Sequence, residues 1–169
     1  MTRDWELMTR NATQTRALGR LLGERLTGGD FLALSGPLGA GKTQFIKGIA
    51  AGLAVPAEEP VVSPTFVLIR EYRGFLKLYH IDAYRLGGTE ELFALGLDEM
   101  VADDDAVVAI EWADRAPEAT PDHACRIELA HVATDERQIR VQWSDTARLE
   151  TLCRRWDDHI DAGRAQNPG

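Results

Sequence analysis

The sequence has few cysteines, no long apolar segment and no excess of basic residues. Its two cysteines, Cys125 and Cys153, are far apart and form no metal-binding pair, which is typical of reduced, structural thiols in a cytosolic protein. No apolar run approaches the length that a membrane-spanning helix needs. The first residues, Met-Thr-Arg-Asp-Trp-Glu, include acids and lack the apolar stretch of a signal peptide. We therefore expect a cytoplasmic protein that does not act at a membrane.

The charge of the chain excludes one class of function. With 19 basic and 27 acidic residues, the formal net charge is −8. Broad binding to a nucleic-acid backbone requires a basic surface, so we expect any nucleic acid to be bound through a partner protein. The composition is otherwise that of a globular protein. The length of 169 residues predicts a single domain over residues 1–160, with a frayed tail at residues 161–169.

The most informative motif is a phosphate-binding loop. Residues 36–43 read Gly-Pro-Leu-Gly-Ala-Gly-Lys-Thr, which is the complete Walker A pattern G-x-x-x-x-G-K-[ST]. Its glycines allow backbone N–H groups to surround a phosphate. Lys42 brings positive charge to the β- and γ-phosphates, and the Thr43 hydroxyl can ligate Mg²⁺. The predicted nucleotide-binding residues of the loop are Gly36, Gly39, Ala40, Gly41, Lys42 and Thr43.

The surroundings of the loop support a nucleotide site. An apolar run at residues 31–35 predicts a buried strand before it, and apolar residues at helical spacing follow Thr43. A GTPase also needs a guanine-reading Asn-Lys-x-Asp, but neither Asn11 nor Asn167, the two asparagines of the chain, is followed by Lys. We therefore expect ATP with Mg²⁺.

Hydrophobic patterning predicts an α/β fold. A first helix is expected from near Thr13 or Thr15 to Gly28. Further helices are predicted at residues 43–53, 89–100 and 146–160, and strands at residues 31–35, 66–72, 75–81, 106–112, 125–129 and 138–143. Two of the strand pairs are joined by short polar turns and should be antiparallel. The expected fold is therefore P-loop NTPase-like, with a mixed parallel and antiparallel sheet flanked by helices.

Two acids are candidates for a second magnesium ligand. Asp82 ends the run Leu-Tyr-His-Ile-Asp, where it is either a Walker-B-type acid or a turn-capping residue. Glu111 ends the apolar run Val-Val-Ala-Ile, where a carboxylate would be costly to bury unless it faced a metal or a cation.

Neighbouring residues leave alternatives open. Thr65 lies in Ser-Pro-Thr, which is either a γ-phosphate-sensing loop or an ordinary turn before a strand. Trp112, which follows Glu111, either packs or contacts nucleotide. His80 and Arg85 flank Asp82, and a strand histidine is more often a core or turn residue than a catalytic one.

In chain order, these motifs resemble a known family. Gly-Pro-Leu-Gly-Ala-Gly-Lys-Thr, Ser-Pro-Thr-Phe, His-Ile-Asp-Ala-Tyr-Arg-Leu, Glu-Glu-Leu-x-x-Leu-Gly and Ile-Glu-Trp are together similar to the bacterial TsaE (YjeE) family over residues 11–143. The resemblance implies a small P-loop ATPase required for the threonylcarbamoyladenosine (t6A) modification of tRNA. It also implies TsaB and TsaD as partners, with ATP hydrolysis resetting their complex between rounds.

The same resemblance implies roles for single residues. Asp82, Glu111 and Thr65 would be catalytic, and Thr43, Asp82 and Glu111 would hold the metal. Trp112 and Arg137 would lie near the nucleotide, and Asn11 near the adenine. The chain departs from the family pattern at Pro37, where Asp is common, and at Ala113, where Pro is usual; neither position supplies chemistry. A small-molecule P-loop kinase is the alternative, although the sequence shows no Arg-rich lid insertion.

Overall fold

The computed structural model describes residues 2–169 as one sheet with helices on both faces. The strands are β1 (Arg3–Thr9), β2 (Phe31–Ser35), β3 (Ile69–Arg73), β4 (Lys77–Asp82), β5 (Ala106–Glu111), β6 (Cys125–His131) and β7 (Arg137–Trp143). The helices are α1 (Ala12–Gly23), α2 (Lys42–Gly52), α3 (Thr89–Ala94), α4 (Leu97–Val101) and α5 (Thr146–Gln166).

The seven-stranded sheet has the order β1-β7-β6-β2-β5-β4-β3. The central strand β2 is parallel to both β5 and β6, and β4 is parallel to β5. The hairpins β3–β4 and β6–β7 are antiparallel, as is the pair β1–β7. The predicted α/β fold with a mixed sheet is therefore confirmed. Strand β2 lies between two parallel neighbours. Sheets of this kind bind ligands in the crevice beyond the carboxyl end of such a strand.

Apolar side chains cover the two faces of the sheet unequally. Helices α1, α2 and α5 pack on one face, where Leu22, Phe45 and Trp156 belong to the larger core. Helices α3 and α4 cover the other face over β2, β5 and β4, through residues such as Leu92 and Leu97. Strand β5 is buried on both sides, which explains its continuous apolar sequence. Within residues 2–169, no helix combines the length and apolar character needed to cross a bilayer.

Helices α1 and α2 touch at glycines. A Cβ atom on Gly19 would overlap the backbone carbonyl of Phe45, and one on Gly48 would overlap that of Arg16. Gly23 and Gly52 repeat the contact one turn further along. The missing side chains let the two backbones meet directly, which fixes the start of α1 beside the start of α2.

Some boundaries differ from the predictions at the start of the chain and before the first hairpin. The sequence does not predict strand β1, which begins with the charged residues Arg3 and Asp4 and pairs with β7, far away along the chain. The strand expected from residue 66 begins at Ile69, because the Leu68 amide bonds the Pro64 carbonyl at 2.7 Å and closes a turn.

Two helices also differ from the predictions. The helix expected at residues 89–100 is divided into α3 and α4 at Gly96, whose φ of 95° ends the first segment. Helix α5 continues to Gln166, so residues 161–166, expected to be part of a frayed tail, are helical.

Candidate functional site

The phosphate-binding loop joins the carboxyl end of β2 to the first residue of α2, as the sequence predicts. Gly41 caps α2 with a φ of 102°, a left-handed conformation that glycine adopts without strain. A Cβ atom on Gly36 would overlap the carbonyl of Leu129 on the neighbouring strand β6. The loop therefore turns tightly over the carboxyl ends of the strands. The amino end of α2 adds its partial positive charge to the space that the loop surrounds.

Lys42 is held inside this loop. Its Nζ donates to the carbonyl oxygens of Gly36 at 2.6 Å and Pro37 at 2.9 Å, and lies 3.9 Å from the centre of the Trp112 ring. Burial lowers the pKa of Lys42, an effect that the nearby charges of Glu111, Asp114 and Asp82 oppose without reversing. An ammonium group has three N–H donors, so the two carbonyl bonds leave one for a phosphate oxygen.

The two predicted acids meet beside Thr43. Asp82 and Glu111 are paired residues at the ends of β4 and β5. The Thr43 hydroxyl donates to Glu111 Oε1 at 2.9 Å. Ser63 bridges the acids, because its hydroxyl lies 2.9 Å from Asp82 Oδ2 and 3.1 Å from Glu111 Oε2. Thr65 Oγ1 lies 3.3 Å from the same Asp82 oxygen. The structure thus brings all three predicted catalytic residues to the loop, in a cleft of about 440 Å³.

The Glu111 carboxylate is buried but remains acidic. Burial raises the pKa of Glu111, but a hydrogen bond and charge from His80, together with the Thr43 and Ser63 hydroxyls, hold it below its ordinary value. Asp82 is also buried, and its Oδ1 accepts the Tyr84 amide at 2.9 Å. The cleft therefore keeps negative charge beside the loop.

Trp112 packs beside Lys42 in the cleft, and a contact between its ring and nucleotide stays a prediction. Its φ of 58° and ψ of 42° place it in the left-handed region, directly after β5. The ring lies against Tyr84, with centroids 4.8 Å apart, and against the Arg115 guanidinium at 5.4 Å. Together with the contact to Lys42, this makes Trp112 one wall of the cleft.

Arg137 contacts the phosphate loop directly, whereas Asn11 begins the neighbouring helix α1. Arg137 Nη2 donates to the Gly39 carbonyl at 3.2 Å, while its Nη1 bonds carbonyls of its own hairpin. Asn11 caps α1, its Oδ1 accepting the Gln14 amide at 2.8 Å. One turn later, Thr15 lies beside Gly41. Nucleotide contacts of Asn11 and Arg137 stay predictions.

Comparison with known proteins identifies the family. The family model described as threonylcarbamoyl adenosine biosynthesis protein TsaE matches residues 9–139. The chain belongs to the TsaE family. This confirms the resemblance seen in the motifs.

Relatives named tRNA threonylcarbamoyladenosine biosynthesis protein TsaE align over most of the chain. The Treponema pallidum protein is 40% identical over 134 residues, which cover 79% of this chain and 97% of the relative. The Bacillus subtilis protein is 40% identical over 152 residues, which cover 89% and 92%. A crystal structure of Bacillus subtilis YdiB superposes with a TM-score of 0.75 and 34% identity, covering 95% of this chain and 98% of that one.

The cleft of this TsaE-family chain presents oxygen ligands of the kind that hold Mg²⁺. Among the described residues, no group of three or more His, Cys, Asp or Glu side chains is arranged to hold a metal alone. Thr43, Asp82 and Glu111 instead provide a hydroxyl and two carboxylates, all oxygen ligands. Mg²⁺ is usually held this way, by one or two carboxylates together with substrate phosphates and water.

Two residues of the network were missed as site residues. Ser63 lies in the same Ser-Pro-Thr segment as Thr65, and it is Ser63 that contacts both acids. His80 is buried, as expected for a core histidine, and its Nε2 also lies 2.8 Å from Glu111 Oε2. The His-x-Asp spacing was the available indication for His80, since alternate strand residues share a face.

Proposed function

We propose that this TsaE-family protein binds ATP with Mg²⁺ in the loop cleft and hydrolyses it. The observation that supports this most directly is the Ser63 bridge between Asp82 and Glu111, which joins both acids to Thr43. A phosphate-binding loop alone lacks the groups that hold the metal and orient the attacking water, and this network supplies them.

Each side chain has a defined task in this proposal. Lys42 neutralises charge on the β- and γ-phosphates, and Thr43 with the two acids holds Mg²⁺ or its water shell. Bound Mg²⁺ would stabilise the charge that develops on the phosphate oxygens. The Ser63 and Thr65 hydroxyls contact the acids that would hold the metal, so their segment would respond to the presence or loss of the terminal phosphate. Trp112 and Arg137 border the site, and Asn11 lies on the adenine side.

The family supports a proposal for the purpose of hydrolysis. Its members are named for threonylcarbamoyladenosine biosynthesis in tRNA. In our proposal the protein acts in the cytoplasm on a TsaB–TsaD complex, and slow ATP turnover resets that complex between rounds. The net charge of −8 is compatible with meeting tRNA through these partners.

Glu111→Gln should lower Mg²⁺-dependent phosphate release at least about a hundredfold, a loss typical of removing a charge-stabilising group. The amide keeps the volume of the side chain and an acceptor for Thr43. Its NH₂ group would face His80 Nε2, which accepts a hydrogen bond when the ring proton is on Nδ1, so the unfolding temperature should fall only modestly. Glu118→Gln is the matched control, because Glu118 is exposed and its carboxylate accepts the Thr89 hydroxyl instead. Equal rates for both variants would contradict the role of Glu111.

The partner proposal predicts association with a purified TsaB–TsaD pair. Size-exclusion chromatography with ATP, with a non-hydrolysable analogue and without nucleotide should show a joint peak that depends on the nucleotide. A joint peak in none of the three conditions would overturn the partner proposal. A screen for phosphorylated small molecules would then test the kinase alternative.

A further inference from the structure

His80 is a buried polar residue placed directly against the candidate magnesium site. It lies on β4, two residues before Asp82, and its side chain is fully buried. Its Nε2 is 2.8 Å from Glu111 Oε2, while its Nδ1 is buried without a hydrogen-bond partner among the described residues. The bond to Glu111 is therefore the polar contact that compensates for burying this ring.

The Glu111 carboxylate accepts hydrogen bonds from two kinds of segment, which differ in whether they would contact the nucleotide. Thr43 and Ser63 belong to segments that would contact the nucleotide. Thr43 lies in the first turn of α2, and Ser63 lies in the connection before β3. His80 instead comes from β4, which is paired on both sides, with β3 and with β5. The position of His80 is thus fixed by the sheet and does not depend on the segments that carry Thr43 and Ser63.

We infer that His80 is a positioning residue that holds Glu111 in the orientation needed to bind Mg²⁺. Its Nε2–H donates to Oε2, which directs Oε1 toward the Thr43 hydroxyl. This inference rests on the proposed magnesium-nucleotide site. Residues that orient metal ligands in this way typically contribute about 10- to 100-fold to metal affinity or activity.

Three substitutions separate orientation from packing. His80→Gln keeps an amide N–H near the position of Nε2, so it can still donate to Glu111. His80→Asn places its amide near the position of Nδ1, too short to reach Glu111. His80→Leu fills a similar volume and provides no donor.

The measurement is the affinity for a non-hydrolysable ATP analogue by calorimetry, in Mg²⁺ and in EDTA. For wild type and His80→Gln, Mg²⁺ should strengthen binding to a similar degree. For His80→Asn and His80→Leu, the ratio of the affinity in Mg²⁺ to the affinity in EDTA should fall about tenfold or more, with the affinity in EDTA unchanged. Thermal unfolding is recorded for each variant, because a packing role would shift stability and both affinities together.

The outcomes distinguish this inference from the proposed function. Wild-type protein that binds the analogue equally with Mg²⁺ and EDTA would contradict the magnesium-nucleotide site itself. A normal Mg²⁺ effect in wild type that persists in His80→Leu and His80→Asn would overturn the role of His80. If His80→Leu does not fold, the Gln and Asn pair decides, since both are polar amides that differ in reach. Equal Mg²⁺ effects in that pair would refute the inference.

Discussion

Lys42→Ala should abolish ATP turnover, lowering the rate at least about a hundredfold, and leave the fold intact. Lys42 is buried in the loop with its Nζ on the carbonyls of Gly36 and Pro37, so its charge lies where the phosphates would bind. The lost hydrogen bonds cost about 1 kcal/mol each, but removing a partly desolvated cation offsets part of that loss. Phosphate release at saturating ATP and Mg²⁺ measures the effect, with circular dichroism as the check on folding.

Lys47→Ala is the matched control for this experiment. Lys47 is on the same helix α2 but borders a different groove, against residues 55–62. Its removal changes the net charge by the same amount, so turnover should stay at the wild-type rate. A Lys42→Ala variant with wild-type turnover would contradict the assignment of the loop.

Gly48→Ala should destabilise the fold by about 1–3 kcal/mol, the usual cost of overpacking a close contact. The new methyl would lie 2.9 Å from the Arg20 amide nitrogen and overlap the Arg16 carbonyl, so the two helix backbones must separate. Alanine is favoured over glycine inside a helix by about 0.5–1 kcal/mol, and the steric overlap outweighs this gain. Urea unfolding followed by circular dichroism measures the difference.

The chain offers a control for Gly48→Ala within another helix. At Gly163 of α5, no atom outside the helix's own backbone would lie within 4 Å of an added Cβ. Gly163→Ala should therefore show the helix preference alone and stabilise the protein by up to about 1 kcal/mol. If Gly48→Ala were stabilised to the same extent, the direct contact between α1 and α2 would be wrong.

The sequence predicts the elements whose cause is local. The loop at residues 36–43 is a contiguous pattern, and the acids at Asp82 and Glu111 end apolar runs, so their meeting follows from parallel strands sharing an edge. Strand β1 could not be found this way. Its alternation of polar and apolar residues is short and ends at exposed Met8 and buried Thr9, and the strand is stabilised by pairing with β7, far away along the chain.

The details of the site depend on contacts that no local pattern encodes. Which hydroxyl reaches both acids is decided by the turn at residues 64–68, and the pattern gave no reason to prefer Ser63 over Thr65. Trp112 adopts a left-handed backbone that its residue type does not favour, so its position over Lys42 could not be foreseen.

The glycine contact between α1 and α2 also limits how the protein can move. Where two backbones touch directly, there are no side chains between them whose rotamers could change to let the helices slide. The two helices therefore behave as one rigid body, and the phosphate loop is attached to it. Separating α1 from α2 would break this contact. In the proposed function, the segment that would move to admit nucleotide is therefore residues 63–68. That segment is attached to the acids by hydroxyl hydrogen bonds and contains Leu68 at a φ of 67°. In the proposed function, nucleotide exchange would thus require displacement of residues 63–68 while α1 and α2 stay in place.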